Sequence, residues 1–241
     1  MRLLNTSTYE LREFVRDVPH YAILSHTWGE EEVTYQDMVN KRGLDEISRK
    51  QGYPKLDGFC KEAARHGFRW VWMDTCCIDK SSSAELSEAI NSMFRWYRDA
   101  FLCYVYLSDF LAPQASKIRF SDSGARCRWF RRSWTLQELL APENVVFYDQ
   151  DWRDIGTKRS LADDIAIITG INRKLLSSEA EIDDYSVAQK MSWASQRDAT
   201  RVEDMAYSLL GLFSINMPLL YGEGSRSFAR LQEEIIKTST D

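Results

Sequence analysis

The chain has 241 residues, 44% of them hydrophobic, which suffices for the core of one large globular domain and excludes a disordered chain. Its formal net charge of -5 provides no general attraction for nucleic acid. The N-terminal segment contains several charged residues and lacks the apolar run of a signal peptide. No apolar run in the sequence approaches the roughly 18 residues that span a bilayer. We therefore expect a soluble, cytoplasmic protein that binds no nucleic acid and has no membrane span.

The five cysteines form no Cys-x-x-Cys pair, and the chain has only three histidines. An odd number of cysteines indicates reduced thiols. A zinc site of Cys60, His66, Cys76 and Cys77 is an alternative, but its spacing matches no common ligand pattern, and adjacent cysteines on a strand would point to opposite faces. We expect buried thiols and no metal.

Four short apolar runs, rich in aromatic and β-branched residues, predict strands. They are YAILS (21–25), RWVWM (69–73), AFLCYVYL (100–107) and NVVFY (144–148). Helical patterns cover residues 56–66, which end at Gly67, and residues 83–98, which open with a capping box from Ser82 to Glu85. Strands that alternate with helices predict a parallel sheet flanked by helices, with ligands at the C-terminal edge of the strands.

In the second half of the chain, strands and helices no longer alternate. Residues 108–128 are polar and without a clear period, which is typical of a functional or flexible loop. Helical spacings then appear in segments 161–170, 186–196, 202–213 and 227–237, with Gly170 and Gly211 as stops. YGEGSRS (221–227) lacks the lysine of a phosphate-binding loop and is interpreted as a turn before the last helix. We predict an α/β core (1–155) and a helical C-terminal part (156–241) packed on it.

Several candidate site residues follow the first two predicted strands. Ser25 and His26 end the first strand, Trp28 lies just beyond it, and Asp74 and Asp79 follow the second. Ser25 and His26 point to opposite faces of a strand and so cannot form a nucleophilic dyad with each other. For each of these residues, capping or shaping its loop is the alternative to a role in a site.

The segment SWTLQELLAP (133–142) predicts a helix with two unlike faces. Three leucines form one face, and Trp134 and Glu138, spaced i and i+4, share the other. A solvated glutamate is the ordinary interpretation of such a position. Four arginines (126, 128, 131 and 132) precede the helix at Ser133, and either attract a phosphate-bearing ligand or solvate the loop and pair with nearby acids.

Four segments resemble, in order, the motifs of the fungal heterokaryon incompatibility (HET) domain: YAILSHTWG, WVWMDTCCIDK, AINSMFRWYRDA and WFRRSWTLQELLAPENVVFYDQDW. MRLLNT and the stretch from VAQKMSW to YGEG are similar to the wider family pattern. The resemblance covers nearly the whole chain and implies one HET domain over residues 1–241. Members of the family act in non-self recognition and trigger programmed cell death, often as the N-terminal effector of an NLR-like receptor. No receptor module follows LQEEIIKTSTD, as expected of an excised domain.

A more distant resemblance is to TIR domains. YAILSHTWGEEE is similar to their first strand and loop, SWTLQEL to their segment S-x-W-C-x-x-E-L, and NVVFYDQDW to the strand and turn that follow it. The resemblance implies a TIR-like, flavodoxin-like core, with Glu138 as the carboxylate needed to cleave NAD and Trp134 beside it. From their position at the C-terminal edge of the strands, we predict that Ser25, His26, Trp28 and Asp74 bind the substrate. The sequence departs from the TIR pattern at Thr135, where cysteine is common, and in its long loop and helical C-terminal part.

The predicted activity is hydrolysis of NAD at the nicotinamide-ribose bond, with NAD as substrate, no cofactor, and activation by self-association. Ordinary glycoside hydrolysis uses two carboxylates. In NAD the nicotinamide ring is a pyridinium cation, and it departs as a neutral molecule. One carboxylate that stabilises the cation developing on the ribose is therefore sufficient. A non-enzymatic adaptor that self-assembles or recruits a partner is the alternative, because related folds serve unrelated functions.

Overall fold

The computed structural model describes residues 1–40, 44–112 and 120–238. Within these residues the strands form one sheet in the order β2-β1-β4-β3-β5-β6-β7. The strands are β1 (Arg2–Asn5), β2 (Leu11–Glu13), β3 (Ala22–His26), β4 (Trp70–Trp72), β5 (Leu102–Tyr106), β6 (Val145–Tyr148) and β7 (Asp154–Thr157).

The centre of the sheet is parallel, as predicted. Strands β4, β3, β5 and β6 are neighbours in that order and run in the same direction, which is the flavodoxin-like arrangement. All five residues of β3 are buried, as expected of a strand covered on both faces. The antiparallel strands β1, β2 and β7 extend the two edges and were missed by the sequence pattern, because each has only three or four residues and β2 and β7 contain no buried position.

Helices cover the sheet and form the C-terminal part. They are α1 (Tyr35–Val39), α2 (Leu44–Ile47), α3 (Tyr53–Arg65), α4 (Asp74–Cys77), α5 (Ser83–Asp99), α6 (Phe120–Gly124), α7 (Arg128–Arg131), α8 (Thr135–Leu140), α9 (Ala162–Thr169), α10 (Arg173–Leu176), α11 (Val187–Ala194), α12 (Asp204–Tyr207) and α13 (Arg226–Thr238). Both helices predicted between the strands are confirmed as α3 and α5.

The capping box predicted at the start of α5 is only half formed. Ser82 accepts a hydrogen bond from the backbone N–H of Glu85 at 3.3 Å. The Glu85 carboxylate instead accepts from the backbone N–H of Asp79 at 2.8 Å and from the guanidinium of Arg2 at 2.7 Å. The acid therefore ties α5 to β1 and to the loop after α4.

The predicted loop 108–128 is wrong in part. Residues 113–119 lie outside the described residues, and α6 and the start of α7 occupy the end of the segment. Aromatic contacts hold α6 against the sheet: the ring centroid of Phe120 lies 5.4 Å from that of Phe110 and 6.1 Å from that of Phe147 on β6. A polar composition hid these few apolar contacts from the sequence pattern.

The C-terminal helices follow the prediction except at one glycine. Gly170 ends α9 in the left-handed conformation, with φ at 69°, as predicted. The segment 202–213 is not one helix but α12 and a separate 3₁₀ turn at Gly211–Phe213. Gly211 is not a helix stop: a Cβ there would lie 2.0 Å from Cβ of Phe94, so the glycine permits close packing against α5.

The cysteines are free thiols, and all five are buried. Cys76 and Cys77 lie on α4 rather than on a strand, and His66 Nδ1 contacts the Tyr104 hydroxyl at 2.5 Å. Among the described residues, no group of three or more His, Cys, Asp or Glu side chains is arranged to hold a metal ion. In the same part of the chain, no helix is both long and apolar enough to cross a membrane.

Candidate functional site

A carboxylate with several donors lies at the C-terminal ends of β3 and β4. Asp74 begins α4, and its Oδ1 lies 3.0 Å from His26 Nε2. Its Oδ2 accepts from the Trp28 indole at 2.9 Å and from the Lys80 ammonium at 3.1 Å. Burial acts to raise the pKa of Asp74, but Lys80 and His26 outweigh it and hold that pKa well below the usual range. Asp74 is therefore ionised and fully engaged.

His26 contacts an acceptor at each ring nitrogen: Nε2 lies 3.0 Å from Asp74 Oδ1, and Nδ1 lies 3.2 Å from the Thr27 carbonyl oxygen. Burial, followed by the charge of Lys55, lowers the pKa of His26, with Asp74 acting in the opposite direction. Because a carboxylate only accepts hydrogen bonds, Nε2 donates to Asp74. The histidine thus orients Asp74 and is not assigned as a general acid.

Trp28 is held through its indole N–H by Asp74, and Lys80 lies over one face of its ring. The Lys80 ammonium lies 3.4 Å from the centroid of the indole, within the range of a cation–π contact. Arg128 donates to the Trp28 carbonyl at 3.2 Å, which holds the loop after β3. The residue is nevertheless 50% exposed. An exposed tryptophan with a fixed backbone is suited to contact a flat ligand.

Glu138 lies on α8 and is held by a chain of two hydrogen bonds. The Ser25 hydroxyl donates to Glu138 Oε2 at 2.5 Å, and the Trp129 indole N–H donates to the Ser25 oxygen at 2.8 Å. Glu138 is only 7% exposed and Ser25 is fully buried. The ordinary interpretation of Glu138 as a solvated helix residue is therefore wrong.

The surroundings of Glu138 favour its protonated form. Burial raises the pKa of Glu138 to about 8, and the nearby charge of Asp74 adds to this, while the bond from Ser25 acts in the opposite direction. At neutral pH the side chain of the free protein holds its proton. A positive group entering the site would expel that proton, because it stabilises the carboxylate.

Glu138 and Asp74 line the same cavity, which has a volume of about 380 Å³. Helix α5 provides an apolar wall of Leu86, Ile90, Met93 and Tyr97, and α8 provides Trp134 beside Glu138. The predicted shared face of Trp134 and Glu138 is thus observed. A cavity with apolar and aromatic walls and a few convergent polar groups is typical of a small-molecule site.

The C-terminal part of the chain closes this cavity with Thr200, Arg201, Asp204 and Tyr221. The Tyr221 hydroxyl donates to Asp204 Oδ1 at 2.9 Å. Burial raises the pKa of Asp204, with hydrogen bonding from Trp134 and Tyr221 acting the other way. The helical part is therefore a wall of the site as well as a cover for the sheet.

A buried arginine connects the C-terminal part to α8. Arg197 is 3% exposed, and its Nη1 donates to the Thr135 hydroxyl at 2.8 Å and to the Arg132 carbonyl at 3.0 Å. Beside it, the backbone of Asp198 forms a parallel bridge with Arg132. These contacts fix the residues that directly precede Glu138.

The structure brings the predicted site residues together, with one difference. Glu138, Trp134, His26, Trp28 and Asp74 all line the cavity. Ser25, the sixth, does not line it but lies behind Glu138 as its hydrogen-bond partner.

The arginine cluster has separate partners. Arg132 lines the cavity and donates to Thr200, whereas Arg128 donates to Thr27 and Trp28. Arg126 and Arg131 are exposed, as expected of residues that solvate a loop.

Sequence reasoning missed the cavity residues that lie far from the motifs at the strand ends. Tyr97 and Lys80 were within reach, since Tyr97 lies on a predicted helix and Lys80 follows Asp74 closely. Asp204 and Tyr221 fall in VEDMAYS and YGEG, which were assigned only to packing and to a turn. No local pattern indicates that they meet Trp134 across the chain.

The arrangement defines an α/β domain with a small-molecule cavity at the C-terminal edge of a parallel sheet. Comparison with protein families gives a match to the family described as "Heterokaryon incompatibility protein (HET)" over residues 21–120. The chain is 47% identical over 230 residues to "Vegetative incompatibility protein HET-E-1" of Podospora anserina. The alignment covers 91% of this chain and 16% of that protein. The chain belongs to the HET family, and no solved structure matches it significantly.

Proposed function

We propose that this HET domain hydrolyses NAD at the nicotinamide-ribose bond and that Glu138 is the essential carboxylate. The observation that carries the proposal is the position of Glu138: it is buried, held by Ser25, and lines a cavity with aromatic walls. The TIR-like relation suggested by SWTLQEL is part of the same proposal.

The charge of the substrate matches the state of Glu138. The nicotinamide ring of NAD is a pyridinium cation, which favours the ionised form of a nearby carboxyl group whose pKa is about 8. As the bond breaks, its electron pair leaves with nicotinamide, which becomes neutral, and positive charge develops on the ribose. The Glu138 carboxylate stabilises that charge in a site that excludes most water. Water then adds to the ribose carbon and releases one proton.

The neighbours of Glu138 have separate parts in this scheme. Trp134, one helical turn away, is placed to hold the flat nicotinamide ring, and Tyr97 lines the cavity close to the carboxylate. Asp74 is already paired with His26, Trp28 and Lys80, so it shapes the wall and does not act as a second catalytic acid. Asp204 is likewise paired, with Tyr221, so Glu138 is the one carboxyl group assigned to the reaction, as a neutral leaving group requires.

At the level of the cell, we propose that the domain is a death effector of fungal incompatibility. The name of its Podospora anserina relative, a vegetative incompatibility protein, supports this role. The chain spans 16% of that relative, so an additional module such as an NLR-like receptor is a proposed partner. We place its action in the cytoplasm, because free thiols are typical of a reducing compartment. Self-association is the proposed trigger.

Nicotinamide release from NAD by the purified protein tests the activity, both as isolated and after enforced assembly on a multivalent scaffold. Glu138→Gln keeps the shape of the side chain and removes its charge, so we expect at least a roughly 100-fold loss of rate. Exposed Glu233→Gln on α13 is the matched control and should retain full activity. Full activity of Glu138→Gln would refute the assignment. Absence of release from the assembled wild type, combined with toxicity that needs a host partner, would favour the adaptor.

A further inference from the structure

A second cavity adjoins the first. Its volume is also about 380 Å³, and it lies between the loop after β3, helix α1 and the segment after α4. Trp28 and Lys80 line both cavities, so they form the partition between them. Each cavity is at the lower end of the range of small-molecule pockets, ~300–1,000 Å³. Together they suit a ligand made of two parts.

The partition carries a positive charge within reach of a ligand. The Lys80 side chain is 30% exposed, and its ammonium lies over the Trp28 ring. Asp74 neutralises this ammonium only from one side, through one oxygen at 3.1 Å. An ammonium group with three donors can contact an anionic group at the same time. The partition is therefore suited to the charged linker of a two-part ligand.

The interior of the second cavity has a different chemistry. The rings of Trp28 and Tyr35 provide flat apolar surface, and Glu32 and Asp79 provide carboxylates. Glu32 is ion-paired with Lys55 and its side chain is only 8% exposed, whereas Asp79 is partly exposed. The Asp79 carboxylate opposes a phosphate inside the cavity and favours a ligand with hydroxyl and amino donors.

We propose that the second cavity binds the adenosine half of the dinucleotide, with the diphosphate passing over Lys80 at the partition. The base contacts Trp28 and Tyr35, and its amino group and the ribose hydroxyls meet the Asp79 carboxylate. This assignment rests on the proposed NAD substrate, because it takes the nicotinamide half to lie in the Glu138 cavity. It extends the site to Tyr35, Gln36 and Ser81, which lie outside the segments quoted as family motifs.

Calorimetric titration with ADP as the probe tests the assignment directly. Ser81 is exposed and lines only the second of the two cavities, so Ser81→Trp should fill it and weaken ADP binding by roughly tenfold or more. Ser48→Trp, at an exposed position outside both cavities, is the matched control and should bind ADP like the wild type. If Ser81→Trp does not fold, Gln36→Trp on α1 fills the same cavity.

The kinetic arm compares NAD with nicotinamide mononucleotide, which lacks the adenosine half. Ser81→Trp should raise the KM for NAD roughly tenfold more than the KM for the mononucleotide. Equal ADP binding by Ser81→Trp and Ser48→Trp, or no ADP binding by the wild type, overturns the assignment. ADP binding that Ser81→Trp blocks, in a protein that releases no nicotinamide, supports the second cavity and refutes only the hydrolysis.

Discussion

Asp74 and Glu138, two of the three carboxyl groups that line the Glu138 cavity, differ in how their hydrogen-bonding capacity is used. Asp74 contacts His26, Trp28 and Lys80 and is ionised, whereas Glu138 is bonded only to hydroxyl groups, those of Ser25 and Tyr97, and has a pKa of about 8. Both are acids at the edge of the same sheet. The difference indicates that Asp74 builds the site and that Glu138 is left to respond to a ligand.

The pH dependence of stability should expose the state of Glu138. Its folded pKa of about 8 is above the unfolded value, so its contribution to the free energy of unfolding is complete below about pH 4 and is lost as the pH rises through 8. Glu138→Gln cannot ionise. Its free energy of unfolding should therefore rise relative to that of the wild type as the pH increases through this window, by up to about 4 kcal/mol. Urea unfolding at pH 5 and pH 9 measures the gain. If the difference in free energy of unfolding between the variant and the wild type does not increase with pH, Glu138 is not a buried, protonated acid.

Removal of the Asp74 charge should destabilise the protein. Asp74→Asn keeps the shape but loses the charged acceptor of three donors, so we expect a loss of about 2 kcal/mol at pH 7. Urea unfolding measures it, with exposed Asp122→Asn on α6 as the control. An unchanged midpoint would mean that the hydrogen bonds of Asp74 add nothing to the fold.

Ser25→Ala should change both stability and catalysis. Trp129 and Glu138 each lose a buried hydrogen bond, which should cost about 1–2 kcal/mol in urea unfolding. Because the Ser25 bond acts to lower the pKa of Glu138, its loss should shift the rise of kcat/KM with pH to higher pH. Ser25→Thr, which keeps a hydroxyl, is the control. A profile that does not move would refute Ser25 as a positioning residue for Glu138.

The smallest effect should follow loss of the Lys80 charge. Lys80 lowers the pKa of Asp74, so Lys80→Met should raise it and remove part of the stability that this depressed pKa provides above about pH 4. Because Lys80 is partly exposed, we expect less than about 1 kcal/mol at pH 7. The difference from the wild type should decline only where folded Asp74 takes up its proton, well below the usual pH range of an aspartate. A difference that stays constant through that titration would point to lost packing on Trp28 instead.

The sequence predicted those parts of the fold that repeat a local pattern. The four parallel strands and the helices α3 and α5 are continuous apolar or amphipathic segments, so their spacing alone identified them. The antiparallel strands β1, β2 and β7 are too short to show a period. Helix α6 depends on Phe120 packing against Phe110 and Phe147, a contact between distant positions that no local window contains.

The site was predictable at the strand ends and on α8 but not across the chain. The i and i+4 spacing of Trp134 and Glu138 placed them on one face, and the parallel topology brought His26, Trp28 and Asp74 to one edge. The burial of Glu138 could not be read from its helix, because Tyr221 and the segment from Arg197 to Asp204 cover it from the C-terminal part. Burial is a property of the assembled layers and has no signal in a short window.

The bridge between Arg132 and Asp198, with Arg197 beside it, has a genetic consequence. Recombination between two diverged alleles that replaced only the last third of the gene would keep the whole sheet but give α8 a foreign partner. Such a hybrid should fold its core, but the Glu138 carboxylate should no longer be held in its position in the site. The unit that can be exchanged between alleles without loss of the site is therefore the chain from Ser25 to Tyr221, inherited together.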